Sequence, residues 1–152
     1  MIIFYTHKEK TKVFAQALSQ VINTATYQLE TDLNNKSAMG FMFIALQSVF
    51  ANRPYPVNNM PGSLPAEIYV CSPIWGGGLA APVKYFLQNA KLAGIKVNLI
   101  LTAASPAPKY EKNAIKYLKT LQCIVGNVYL FATTKAMPET DVLVEQFTEL
   151  LN

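Results

Sequence analysis

Ile68-Tyr69-Val70-Cys71-Ser72-Pro73-Ile74-Trp75-Gly76-Gly77-Gly78-Leu79-Ala80-Ala81-Pro82-Val83-Lys84-Tyr85-Phe86 is the stretch that decides the fold of this chain. Ile68 to Cys71 is a short apolar run, rich in β-branched and aromatic residues, as a strand buried on both faces reads. Pro73 has no N–H to give a sheet ladder, so the strand is expected to end at Ser72-Pro73. The chain's only tryptophan, Trp75, comes next and is followed by Gly76, Gly77 and Gly78. Glycines permit backbone angles that side chains forbid and let a ligand approach the main chain closely. Val83, Phe86, Leu87 and Ala90 then recur at helical spacing. The unit is strand, glycine loop, helix. In an open parallel sheet, ligands bind in loops of this kind at the carboxyl ends of the strands.

The same alternation runs outward in both directions. Met1 to Tyr5 reads as a buried strand, and Val13, Phe14, Ala17, Leu18, Val21 and Ile22 form one apolar helical stripe. Thr26 to Glu30 is a short strand. Ser37 to Ala51 is helical and apolar on nearly every face, carrying Met39, Phe41, Met42, Phe43, Ile44, Leu46, Val49 and Phe50. Such a helix is either wedged against its neighbours or serves as a subunit interface or binding wall. Residues 52–65, with four prolines and Gly62, form a loop. Ile95 to Thr102 is a buried strand and Ala103 to Pro108 a loop. A helix through Tyr110, Ala114, Tyr117, Leu118 and Leu121 and a strand from Val125 to Ala132 follow. Pro138-Glu139-Thr140-Asp141 opens the last helix, with proline and acids in its first turn. Five strands alternating with helices predict an α/β protein, a three-layer sandwich around a five-stranded parallel sheet in a single domain spanning residues 1–152.

Composition narrows the function. The chain is 51% hydrophobic and 14% charged, which argues against disorder, and its net charge of +4 is mild. The lysines are scattered, with no basic run and no arginine–aromatic alternation, so nucleic acid is not the expected partner. No basic region precedes the apolar residues 1–5, and no apolar run approaches the length of a membrane span. Cys71 and Cys123 fall at opposite edges of the predicted sheet. Two reduced thiols are expected, in keeping with a cytoplasmic protein. Two distant cysteines and one histidine make no metal site.

The motifs resemble those of the flavodoxin-like proteins, and the likeness runs nearly end to end. Ser72-Pro73-Ile74-Trp75, the small residues after it, and the proline-bearing helix ending in Phe86-Leu87 resemble that family's third-strand turn. The apolar second helix followed by Asn52-Arg53-Pro54 resembles a segment of its small members. The resemblance implies strand order 2-1-3-4-5 and FMN held non-covalently by the loops after strands one, three and four. It further implies electron transfer or reduction of a small acceptor. On this likeness the cofactor-binding residues are Thr6, His7, Lys8, Lys10 and Thr11 in the first loop. Pro73, Ile74, Trp75, Gly76, Gly77 and Gly78 follow in the second, and Thr102, Ala103, Ala104 and Ser105 in the third.

The first loop departs from the family's T/S-x-T-G-x-T pattern. Thr6 and Thr11 match, but Lys8 stands at a hydroxyl position and Glu9 at the glycine. Glutamate does not readily take the positive φ that glycine allows, and its carboxylate would lie where a phosphate dianion prefers to sit. Thr6-x-x-Glu9 also reads as a capping box, with Thr6 capping the helix and Glu9 reaching back. His7, Lys8, Lys10 and Lys12 offset the acid. Trp75 either stacks on a flavin or packs on the next loop. Thr102 to Ser105 either lines the ring's edge or makes a tight turn. His7 has no assignable acid partner, so it reads as an exposed loop residue, and no catalytic side chain is expected.

Two readings stay open. One is an FMN flavoprotein, either an electron carrier or an NAD(P)H-dependent reductase of a small acceptor. Its partners would be the flavin and a redox protein or acceptor, with a homodimer through the apolar helix. The other is a binding or structural protein on the same fold that has lost FMN. The positive net charge departs from the acidic surface usual in carrier flavodoxins and favours a small reductase.

Overall fold

The computed structural model describes residues 1–50, 53–133 and 138–152, without the side chains of 47–50. The side chains of Val49 and Phe50, together with Ala51 and Asn52, therefore lie outside the described residues. In chain order the elements are β1 (Ile2–Phe4), α1 (Lys10–Ile22), β2 (Thr26–Gln28), a 3₁₀ turn (Asp32–Asn35), α2 (Ala38–Phe50), β3 (Glu67–Trp75) and β4 (Gly78–Leu79). They continue as α3 (Ala81–Asn89), β5 (Lys96–Ala103), α4 (Pro108–Leu118), β6 (Ile124–Ala132) and α5 (Thr140–Leu151).

Five of these strands form a parallel sheet in the order β2-β1-β3-β5-β6. This is the predicted 2-1-3-4-5 order, with one extra strand, β4, shifting the numbers. β1 and β3 are adjacent at the centre, with Ile2 opposite Tyr69 and Phe4 opposite Cys71. Side chains alternate across the sheet, and each face has its own core. Ile3, Tyr5, Ile68, Val70, Leu99 and Leu101 pack with Val83 and Phe86 of α3 and Leu118 of α4. Ile2, Phe4, Cys71 and Ile100 pack on the opposite face with Phe14 and Leu18 of α1 and Leu143 and Phe147 of α5. The three layers follow from that alternation. Both cysteines are free.

Two expectations about β3 are corrected. The strand does not stop at Pro73, and a short antiparallel strand is added. β3 runs on to Trp75 and folds back so that Ile74 and Trp75 pair with Leu79 and Gly78 of β4. The reason lies in what Pro73 faces. Cys71 accepts the Tyr5 N–H at 3.2 Å, the last bond to β1. Two residues on, Pro73 presents its missing N–H to the same side, where β1 has already ended. Its carbonyl accepts the Ala80 N–H at 3.2 Å, and the Ser72 hydroxyl accepts the same N–H at 3.1 Å. Proline therefore costs the sheet nothing here.

β2 is shorter than predicted, ending at Gln28, and the loop covers its edge. Asn58 N–H donates to the Glu30 carbonyl at 2.7 Å. Asn59 accepts from Glu30 N–H at 2.8 Å and donates to the Gln28 carbonyl at 2.9 Å. An unpaired edge strand is thereby blunted. Tyr55 donates to Asp32 at 2.5 Å, which pushes the phenol up to about 12 and lowers the carboxyl. α2 belongs to neither core among its described side chains. It exposes Met39, Met42, Phe43 and Leu46, so it is not wedged on all sides. Among the described residues no helix is long and apolar enough to cross a membrane.

Candidate functional site

The carboxyl ends of β1, β3 and β5 open into one crevice. β1 delivers Tyr5, buried completely, and then Thr6, which is 2% exposed. The turn from Thr6 to Glu9 has no regular structure, and α1 begins at Lys10. The residue before it, Glu9, has φ 57° and ψ −7°, a left-handed conformation. Two expectations fail at this point. Glu9 takes the positive φ that glycine would take. The Thr6–Glu9 capping box does not form, because no side chain caps this helix. The Glu9 carboxylate instead turns outward and pairs with Lys12 at 2.7 Å, on the exposed side of the first helical turn. The turn therefore keeps a left-handed shape that favours glycine, while the acid is drawn aside.

Thr11 is buried under this turn and shares a hydrogen bond of 3.0 Å with Thr102 at the end of β5. That bond ties the first loop to the third. A cavity of about 190 Å³ lies between them. It is lined by Thr6, His7, Lys8, Lys10 and Thr11 from the first loop, Pro73, Ile74 and Trp75 from β3, and Thr102, Ala103 and Ala104 from β5. Phe41 of α2 and Thr133 after β6 complete the wall. An adjoining cavity of 320 Å³ holds Gly76, Gly77 and Ser105, with Lys109 and Tyr110 from the start of α4. Gly77 sits at φ +88°, a conformation that favours glycine, beside the Tyr110 ring, which a Cβ there would meet at an ordinary 3.7 Å. Gly78 departs from the group by sharing, with Gly76 and Gly77, a different cavity behind the loop.

Trp75 is half-buried and meets two rings edge-on, Tyr5 at 5.6 Å and Phe41 at 5.1 Å between centroids. His7 is not the exposed loop residue expected. Its ring lies parallel to Phe41, 3.6 Å away and 2° from coplanar orientation. Its Nδ1 is buried with no hydrogen-bond partner among the described residues. His7 as a residue lines the cavity, and a buried ring nitrogen without a partner calls for an explanation. Burial pushes the neighbouring Tyr5 phenol up. Beyond Trp75, His7, Phe41, Met42, Leu46 and Ile74 bound a larger apolar space of 560 Å³ under α2.

Phe41, Thr133, Lys109 and Tyr110 were not among the residues expected to bind a cofactor. The apolar helix gave one signal, since a binding wall was one of its two readings. Thr133 follows from geometry alone, because the next parallel strand must end at the same edge. Its N–H donates to the Ala103 carbonyl at 2.8 Å. Among the described residues no cluster of His, Cys, Asp and Glu is suited to a metal ion.

No protein-family model and no curated protein sequence matches this chain. Solved structures do resemble it. One named "Putative flavoprotein from Bacteroides uniformis" is 18% identical at a TM-score of 0.78, covering 99% of this chain and 96% of that one. A flavoprotein in complex with FMN from Lactobacillus acidophilus is 20% identical at 0.63, covering 97% and 96%. The two-electron reduced flavodoxin of Megasphaera elsdenii is 14% identical at 0.56, covering 98% and 99%. Strand order, layering and these likenesses agree: the chain has the flavodoxin-like fold.

Proposed function

We propose that the protein is a flavoprotein that binds FMN non-covalently and uses it for electron transfer or to reduce a small acceptor. The observation that carries this reading is the meeting of three loops, after β1, β3 and β5, in one crevice. The neighbour from Lactobacillus acidophilus, described as an FMN complex, supports the choice of ligand. The chain's residues fit the group. The turn at Thr6–Thr11 offers hydroxyls, backbone N–H groups and the start of α1 to a phosphate. Lys8 and Lys10 bring positive charge, and the Glu9 carboxylate is partly offset by its pair with Lys12.

In this reading Thr6, Thr11, Lys8 and Lys10 hold the phosphate. Trp75 and the glycines position the ring, and the backbone from Ala103 to Ser105 meets its edge. When bound, the flavin supplies the redox chemistry. The protein's residues bind it, orient it and keep water from one face of it. The His7 Nδ1 gains a partner. The cofactor-free alternative is favoured by one observation, the Thr11 hydroxyl already engaged with Thr102. A titration decides between them. Purified protein mixed with FMN should show perturbed flavin absorbance bands and saturable quenching of the single tryptophan. No saturation would leave the cofactor-free reading standing.

A further inference from the structure

Behind the glycine loop, on the far side of Trp75 from the first loop, lies a cavity of about 360 Å³. The glycines, Lys84 of α3, and Asn113, Lys116 and Tyr117 of α4 line it. Its volume falls within the range of small-molecule sites, on the order of 300–1,000 Å³. Its floor is held in place. Asn113 donates to the Gly77 carbonyl at 2.9 Å, and Tyr117 donates to the Lys84 carbonyl at 3.4 Å.

The informative residue is Lys84. It is only 6% exposed, and buried lysines are rare because a desolvated ammonium is costly. That desolvation lowers its pKa. Yet the side chain borders an open space and is not enclosed on every side. Gly78 lies alongside it: a Cβ at that position would be in ordinary contact with the ammonium nitrogen, at 3.7 Å. Lys84 already has an interaction within the protein, and its ammonium carries three donors in all. Lys116 adds a second cation at the rim. No Asp or Glu is among the lining residues. A concave, half-enclosed space with two ammonium groups and no carboxylate focuses positive potential.

We propose that this cavity is a second binding site, separate from the crevice, for a small anionic ligand bearing a carboxylate or phosphate group. Lys84 is its buried charge partner, Lys116 its rim partner, and the Asn113 and Thr120 side chains supply polar contacts. The glycine loop is the shared wall between this site and the crevice, because Trp75 lines both. Occupancy on one side therefore bears on the loop that shapes the other.

The test uses isotope-labelled full chain without added flavin, titrated separately with inorganic phosphate and with malonate. Amide shifts are followed at Gly77, Gly78 and Thr120, and in the Thr6–Thr11 loop. The expected result is a saturable shift at Gly78 and Thr120 with one or both anions, weakened about tenfold in Lys84→Met and in Lys116→Gln. Lys119→Gln, outside the lining, should leave it unchanged. Comparing the two titrations tells which anion class the site takes. Shifts confined to residues 6–11, no shift at all, or affinities unaltered in the variants would each overturn the site. Should Lys84→Met not fold, Lys116→Gln decides alone. FMN enters none of these measurements, so this result and that of the flavin titration fail independently.

Discussion

Glu9 shows how a single residue can defeat a sound rule. The sequence argued that glutamate would resist the positive φ of a phosphate turn, and the backbone takes it at φ 57° all the same. The left-handed conformation costs an L-residue on the order of 1 kcal/mol, and an exposed ion pair with Lys12 returns only a few tenths. The surrounding fold meets the difference. Glu9→Gly should therefore raise Tm by about 2 °C and tighten FMN binding by removing a like charge near the phosphate. A thermal melt and an FMN titration check the two halves separately. Trp75 is legible in another way. Its place after Pro73 and before three glycines marked it from the sequence, but its edge contacts with Tyr5 and Phe41 did not follow from any spacing. Trp75→Ala should weaken FMN binding by about tenfold or more through lost stacking and burial. It should leave the far-ultraviolet dichroism and the cooperative melt intact, since the ring sits at the carboxyl rim of the sheet. Unchanged tryptophan emission at saturating FMN in the parent protein would show that the ring does not stack.

At the scale of elements, strands and helices were readable because their periodicity is long and consistent, and their ends were not. Pro73 was read as a terminator because the rule about proline assumes two flanking strands. The register places it where one flank has run out, and register is a tertiary fact. The hairpin to β4 follows from the same circumstance. The bulge in β6 was equally hidden. Gly126 looks like an incidental glycine in a strand, yet the pairing slips between Val97 and Leu99 there. Asn98, 1% exposed, donates to Glu67 at 2.8 Å and accepts from Asn127 N–H at 2.9 Å. A Cβ on Gly126 would lie 2.3 Å from the Asn98 side-chain oxygen Oδ1 and 3.0 Å from the Val97 carbonyl oxygen. Gly126→Ala should accordingly destabilise the protein by about 2–3 kcal/mol, combining overpacking with disrupted buried hydrogen bonds. Denaturant midpoints measure it. Asn98→Ala combined with Gly126→Ala should cost less than the sum of the two, because the clash with the Asn98 side chain is then gone and only the close approach to the Val97 carbonyl remains.

At the scale of the molecule, the two ends of the sheet have separate tasks. The carboxyl end holds the crevice. The amino end holds Glu67 of β3, paired with Lys96 of β5 at 2.9 Å and with Asn98. The layering and the central place of β1 and β3 were legible in two runs apolar throughout, and the strand order in the likeness to flavodoxin-like proteins. This charged clasp was not, because both residues look like ordinary surface positions until β3 and β5 are in register. Its pH behaviour follows from the shifts. The Lys96 ammonium first, then Asn98, hold the Glu67 carboxyl below its usual 4.5. Glu67 raises Lys96 above its usual 10.5. A depressed carboxyl contributes stability above its unfolded pKa and loses it as pH falls through the folded value. A raised lysine contributes below its unfolded pKa and loses it as pH rises through the folded value. The clasp is thus in full effect between those limits and weakens beyond either. Both groups are partly exposed, so the effect is small and salt-sensitive. Glu67→Gln should lower Tm slightly at neutral pH, and the gap to the parent should close as pH falls below about 4. FMN affinity, set at the opposite end of the strands, should not change. A gap that persisted in acid would mean that Glu67 does not act through its charge.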